Sequence, residues 1–397
     1  MGSGIRPVSV AERRARLAAR HHLAPASRGA ASPAGVAGAV ADIIALHGTD
    51  PASVYLAARA RTGAARADIE SALYDQGTLV RMLGMRRTVF VVPAALMPVI
   101  QAACTDQIAA RMRRDLGRRV QESAIAADGA AWLDEAGAAV VAALAARGSA
   151  TGAELSRDEP RLRAQIVYPA AAGKSYGGPV NVTSQLLTLL AAEGLIVRGR
   201  PRGGWTSSQF TWSAAPDQPK PDAAAARAEL ARRWLLAFGP AAPADLQWWA
   251  GWTATQARQA LSQLELAEVD LDGTAGVMLA ADQDAPPAEP WAGLLPALDP
   301  AAMGWRERGW YLGGHAAALF DRSGNIGPTV WWDGRIVGGW AHRPDGEIAV
   351  RLLEDPGAEA AAAINAEAGR LREWIGEDTK IRITPRFRTP LERELAG

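Results

Sequence analysis

A chain of 397 residues that is 49% hydrophobic and 21% charged is long and apolar enough for two to four domains, each with its own core, and is not a disordered polymer. Its formal net charge of +1 excludes a uniformly basic nucleic-acid binder, so any DNA-binding surface must be local. The single cysteine, Cys104, excludes an intramolecular disulfide and a cysteine-based metal cluster, and points to the cytoplasm.

Residues 1–10 lack the apolar stretch of a signal peptide, and no run approaches the ~18 apolar residues of a membrane span, so neither export nor a membrane partner is expected. A short helix is predicted over residues 10–20. Ser32 and Pro33 then read as the N-cap and first residue of a helix expected to run through Val36, Val40, Ile43 and Ile44 and to stop at Gly48. Asp50 and Pro51 start the next helix at once, with Val54, Tyr55 and Ala58 on its apolar face. So tight a connection makes a corner that exposes two polar side chains neither helix needs, His47 and Thr49. A third helix opens at Ala67-Asp68-Ile69-Glu70, and two β-type runs, 78–83 and 87–92, surround Gly84 and end at Pro93. Helices followed by a hairpin describe a winged helix. Residues 93–126 read as one or two helices whose Arg111, Arg113, Arg114, Arg118 and Arg119 are expected to cover much of one face and contact DNA. This first unit spans 6–126.

The pattern returns over 127–215. A helix over 130–146 ends at Gly148, Thr151-Gly152-Ala153-Glu154 forms a capping box, and a helix over 182–193 is stopped by Gly194. The runs 195–198 and 209–212 make a hairpin whose loop carries Arg198, Arg200 and Arg202 beside Gly203-Gly204-Trp205. An Arg-rich, Gly-rich wing suits phosphate contact or minor-groove insertion; a solvated hairpin tip is the other reading.

A Pro-rich linker, 214–221, precedes a third copy over 222–285. Its helix 223–238 ends at Gly239-Pro240, residues 244–250 carry Trp248 and Trp249, Thr253 caps a helix through Leu264, and two short strands flank Asp272-Gly273. Over 290–390 the short runs 295–300, 310–312, 318–320, 329–332, 336–340 and 348–350, punctuated by Gly-Asn, Asp-Gly and Pro-Asp-Gly turns, predict a small β-barrel or curled sheet. A helix near 358–375 and a last strand at 380–384 close it. The expected architecture is mainly α with β: three tandem winged-helix motifs and a C-terminal small β-barrel-like domain.

No Walker loop, Rossmann fingerprint, nucleophile elbow or zinc spacing is present, so no cofactor and no metal are expected. His21, His22, His315 and His342 show no metal-ligand spacing, although His21-His22 lies close enough to the first helix's end to approach the corner. At the corner, His47 titrates near neutrality when unperturbed, Thr49 offers a hydroxyl, and Asp50 offers a negative charge. A satisfied histidine at a helix end and a plain N-cap aspartate are the structural alternatives for His47 and Asp50.

The string Leu46-His47-Gly48-Thr49-Asp50-Pro51 resembles the corner of the AlkZ and YcaQ group of winged-helix DNA glycosylases, which reads roughly Leu-Gln-x-Gln-Asp-Pro or Leu-Gln-x-Asp. Leu46, Asp50 and Pro51 fit that pattern, while His47 and Thr49 stand where the family's catalytic pair stands. Phe238-Gly239-Pro240-Ala241 with Asp245-Leu246-Gln247-Trp248-Trp249 resembles the group's third winged helix, and Pro328-Thr329-Val330 with Asp333-Gly334-Arg335 its C-terminal barrel. The resemblance runs from about residue 6 to about residue 385. It implies a monofunctional DNA N-glycosylase, acting as a monomer on alkylated or bulky purines of the N7-alkylguanine type in double-stranded DNA, with His47, Thr49 and Asp50 as catalytic candidates. Such a base is already a good leaving group, so a modest pair suffices. The replacement of both glutamines leaves a second reading open, a non-enzymatic DNA-binding protein or regulator on the same scaffold.

Overall fold

The computed structural model describes residues 5–168, 178–376, 383 and 387–397. The fold is mixed, about half helical, with several sheets. It opens with β1 (Arg6–Pro7) and α1 (Val10–Arg20), then α2 (Pro33–Asp42), β2 (Leu46–His47), α3 (Pro51–Thr62), α4 (Arg66–Glu70) and the hairpin β3 (Leu79–Leu83) and β4 (Val89–Pro93). A short α5 (Met97–Ile100) continues through a π turn into α6 (Asp106–Glu122).

Here the structure corrects the expected corner. Helix α2 ends at Asp42 rather than at Gly48, and Ile44 takes a φ of 70°. Ile43 and Ile44 are both fully buried, and leaving the helix lets both reach core while the chain straightens into β2. That strand pairs with β4, Leu46 opposite Val91 and His47 opposite Phe90, which gives its backbone the partners that an open corner would lack. Helix α3 follows, capped by Asp50 and buried around almost its whole circumference, as only a helix at the centre of a molecule can be. Its far end is clamped to the C-terminal part of the chain by two buried ion pairs, Arg61 with Asp299 and Arg59 with Glu367.

The middle of the chain holds α7 (Gly129–Arg147), β5 (Ala150–Thr151), α8 (Gly152–Asp158), the hairpin β6 (Gln165–Tyr168) and β7 (Gly178–Asn181), α9 (Thr183–Ala192), and the hairpin β8 (Ile196–Pro201) and β9 (Phe210–Ala214). The capping box at Thr151 and Glu154 is present. Helix α7 is long and apolar enough, by length and composition, to cross a membrane, which corrects the expectation that no run comes near. In the fold its Leu133, Ala136, Val140 and Leu144 are buried in one core with Leu186 and Leu190 of α9. The β6–β7 ladder was not expected from the sequence.

The two hairpins do not stay separate. Arg81 of β3 bridges Arg198 of β8, joining them into a six-stranded sheet of order β2-β4-β3-β8-β9-β5. This sheet carries the corner at one edge and the start of α8 at the other.

Next come α10 (Ala223–Phe238), α11 (Pro243–Ala250), α12 (Ala254–Leu261), β10 (Leu266–Asp270) and β11 (Ala275–Leu279). Strand β1 adds to β10 in parallel, so the chain's first residues complete this third group rather than the first. Then follow β12 (Ala292–Leu295), α13 (Pro300–Met303), α14 (Gly309–Leu312), α15 (Ala316–Leu319), β13 (Thr329–Trp332), β14 (Arg335–His342), β15 (Ile348–Leu352), α16 (Ala358–Ile375) and α17 (Pro390–Ala396). Two expected strands, 310–312 and 318–320, are helical turns instead. Trp310 and Tyr311 pack against Trp305 and Trp331 in an aromatic cluster, and a turn ending at Gly313 (φ 58°) aims both rings inward. Among the described residues the C-terminal sheet is open, with β12 and β15 as its edges and α16 laid across it, not a closed barrel. The expected last strand, 380–384, lies outside the described residues apart from Ile383.

Candidate active site

The corner is fixed atom by atom. The Gly48 N–H donates to the Val89 carbonyl at 2.8 Å, and a Cβ at position 48 would sit 3.1 to 3.3 Å from the backbone of Val89 and Phe90, so a side chain there would wedge β2 away from β4. The Gly48 carbonyl accepts from Arg81 Nη1 at 2.9 Å, and the Thr49 N–H lies against His47 Nδ1 at 3.5 Å. Asp50 Oδ2 accepts from the Ser53 N–H at 3.0 Å and from the Ser53 hydroxyl at 2.7 Å. Asp50 is buried, and this carboxylate oxygen serves the start of α3 as the sequence led one to expect.

His47 is part-buried, its ring edge-on to Phe90 at 5.6 Å. Burial, helped by the charge of Arg86, pushes its pKa down to about 4. The imidazole is therefore neutral at physiological pH, not poised at neutrality as its free pKa suggested. His21 and His22 do not join it. His21 is sealed between Phe238 and Trp305, and His22 bonds Asp42 and the Ser27 carbonyl.

Thr49 opens onto a cleft of about 580 Å³ between the corner and the second hairpin, walled by Arg198, Arg202, Gln209, Phe210 and Trp212, with the start of α8 at its far side. The guanidinium of Arg198 lies 5.1 Å from the Trp212 ring centre and 5.7 Å from that of Phe210. Cations and aromatic faces thus meet beside the corner.

The remaining arginines singled out from the sequence are more dispersed. Arg111 and Arg114 are exposed on α6, and Arg111 lines a second cavity of about 300 Å³. Arg113 is held by Glu193 and Asp134, and Arg118 by Asp115 and Glu122, so α6 does not present an unbroken cationic face. Arg200 pairs with Glu70 and Asp75, and Arg202 with Glu154. Each of these can reach a phosphate only by exchanging a carboxylate for it.

Arg86 and Arg87 were missed by sequence reasoning. They form the tip of the β3–β4 hairpin with φ values of 52° and 57°, and both line the 300 Å³ cavity over α6. Arg87 also lines an adjoining cavity of about 430 Å³ with Arg119. Arg86 stacks on Trp248 at 3.9 Å, whose ring also meets Arg308 at 4.9 Å. The Arg-Arg pair after Gly84-Met85 was the available signal, hidden because the second strand was read as starting at Arg87.

A central helix with a capped polar corner, hairpins merged into one sheet and an arginine- and aromatic-lined cleft thus meet in one region of the molecule. The model of the DNA glycosylase AlkZ-like family matches residues 40–374, and the chain belongs to that family. Among solved structures it is similar to the Streptomyces sahachiroi DNA glycosylase AlkZ, with a TM-score of 0.71 over 94% of this chain and 98% of that one. At 20% identity this is a likeness of fold. No curated protein matches the chain by sequence.

Proposed function

We propose that the protein is a monofunctional DNA glycosylase that hydrolyses the N-glycosidic bond of N7-alkylguanine-type purines in double-stranded DNA, with His47 and Thr49 as the pair at the reacting centre. The observation that carries this reading is the position of Thr49. Thr49 borders a cleft in which the guanidinium groups of Arg198 and Arg202 and the rings of Phe210 and Trp212 stand among small and polar residues, a combination that suits a nucleotide with its phosphates. The three helix-plus-hairpin groups are read as tandem winged helices that carry the duplex, with Arg198, Arg202, Arg111, Arg114 and the Arg86-Arg87 tip as phosphate contacts.

In the reaction, the bond from the sugar C1′ to the base nitrogen breaks and its electron pair leaves with the base, neutralising the charge of an N7-alkylated purine. A water oxygen then bonds C1′ and releases a proton to solvent. Because the leaving group is already cationic, no strong acid is required. The Thr49 hydroxyl holds the water, and the neutral His47 ring stands beside it. Asp50 acts through α3, whose start it fixes.

The His47-Gly48-Thr49 substitution sustains one other reading, a DNA-binding protein that does not excise. Duplexes carrying a series of N7-alkylguanines, incubated with the protein and scored for strand cleavage at abasic sites, decide between them. Excision of at least one lesion is expected. An intact series with undiminished duplex binding would establish the non-enzymatic reading.

A further inference from the structure

Buried guanidinium groups in this protein generally face carboxylates: Arg61 with Asp299, Arg59 with Glu367, and Arg16 with Glu12 and Asp282. Arg81 has none. It stands in the middle of β3, 3% exposed, with Nε and Nη2 buried and unpartnered, beneath the face of Phe210 at 5.0 Å. Its partner across the β3–β8 bridge is another cation, Arg198. A buried charge so placed is expensive. Among the described residues its one hydrogen bond goes to the carbonyl at the centre of the corner, that of Gly48.

The Gly48–Thr49 peptide is a rigid plane, so the group that holds its oxygen also aims its N–H. That N–H belongs to Thr49 and meets His47 Nδ1. A cation on the carbonyl polarises the amide and makes the N–H a better donor. A ring nitrogen that accepts a hydrogen bond carries no proton, so a neutral imidazole in this setting is protonated at Nε2.

We propose that Arg81 is the positioning residue of the corner: through the Gly48–Thr49 peptide it holds His47 as the Nε2-protonated tautomer, so that His47 offers DNA a hydrogen-bond donor rather than a base. This rests on the glycosylase reading of the corner. His47 is then a neutral donor in the place where the resembling family carries glutamine, whose amide N–H is also a neutral donor. In the reaction the donor supports the acceptor edge of the base as that base gains the electron pair of the breaking bond, while the proton of the attacking water passes to solvent beside Thr49.

The test is ¹⁵N NMR of the full chain labelled at histidine, with His47 assigned from the signals that vanish in His47→Gln. The expected spectrum at neutral pH shows His47 protonated at Nε2 alone. Arg81→Gln should give a mixture of tautomers and slow single-turnover excision about tenfold while DNA affinity changes less than twofold, and Arg81→Lys should recover part of both. Protonation at Nδ1 in the wild-type protein overturns the proposal, with no variant and no activity needed. An Arg81→Gln protein with an unchanged tautomer and rate overturns it as well. A wild-type Nε2 tautomer in a protein that excises nothing would sustain the geometry and reject the glycosylase reading instead.

Discussion

The depressed pKa of His47 makes a prediction about acid. With a folded pKa of about 4, roughly nine copies in ten stay neutral at pH 5, whereas a histidine at the ordinary 6.5 would be almost wholly protonated there. If the neutral ring is the working form, single-turnover excision should change by less than about 10% between pH 7.5 and 5.5, against a loss of about tenfold for an unperturbed histidine. The assay is excision at saturating protein across pH 5 to 8, with DNA affinity followed at each pH and His47→Gln as the variant that cannot titrate. A wild-type inflection near 6.5 that disappears in His47→Gln would refute the reasoning. The same shift has a stability consequence. Because the unfolded histidine binds a proton at a higher pH than the folded one, stability falls as pH drops from 6.5 toward 4, by at most about 1.4 kcal/mol per pH unit before solvent screening of this part-exposed ring. His21, whose pKa burial also lowers, adds to the loss in acid; His22, raised by Asp42, works the other way.

Three other perturbations test the framework. Asp299→Ala leaves the Arg61 guanidinium, 0% exposed, with only the Ala57 carbonyl and should destabilise the fold by about 3–5 kcal/mol in denaturant titration; Arg61→Met with Asp299→Leu should recover most of it, and a single-variant loss below about 1 kcal/mol would show the pair to be idle. Asp50→Ala removes the cap on the Ser53 N–H and should cost about 1 kcal/mol, whereas Asp50→Asn should cost less; equal losses would point to the charge rather than the cap. Arg198→Ala should lower the slope of log K against log salt by about 0.9 for each phosphate that the guanidinium neutralises, while Arg200→Ala, which frees Glu70 and Asp75, should lower it less; the reverse order would take Arg198 out of the interface.

Most of what the sequence made legible is short-range chemistry. Ser32-Pro33, Asp50-Pro51, Thr151 with Glu154 and the cap Thr253 each set a helix start within four residues, and each is where it was read. What was hidden depends on partners far along the chain. Two-residue β2 exists only because β4 offers an edge, and the joint sheet exists only through Arg81 and Arg198. Trp310 and Tyr311 have strong β preference, yet the aromatic cluster around Trp305 sets them in a helical turn. Charge counts located Arg113, Arg118, Arg200 and Arg202 but could not see the carboxylates that hold them. The position of the corner was readable; the state of His47 was not, because Arg86 and the core around it come from other segments. Arg81 left one clue, a lone charge among Leu79, Val80, Met82 and Leu83.

The central claim is that excision runs through the corner, and single-turnover removal of an N7-alkylguanine by wild type, His47→Ala and Thr49→Ala, with duplex affinity measured alongside, tests it most directly. His47→Ala should bind normally and excise about 10²-fold more slowly, and Thr49→Ala should be impaired less. A His47→Ala protein that binds and excises like wild type would contradict the account.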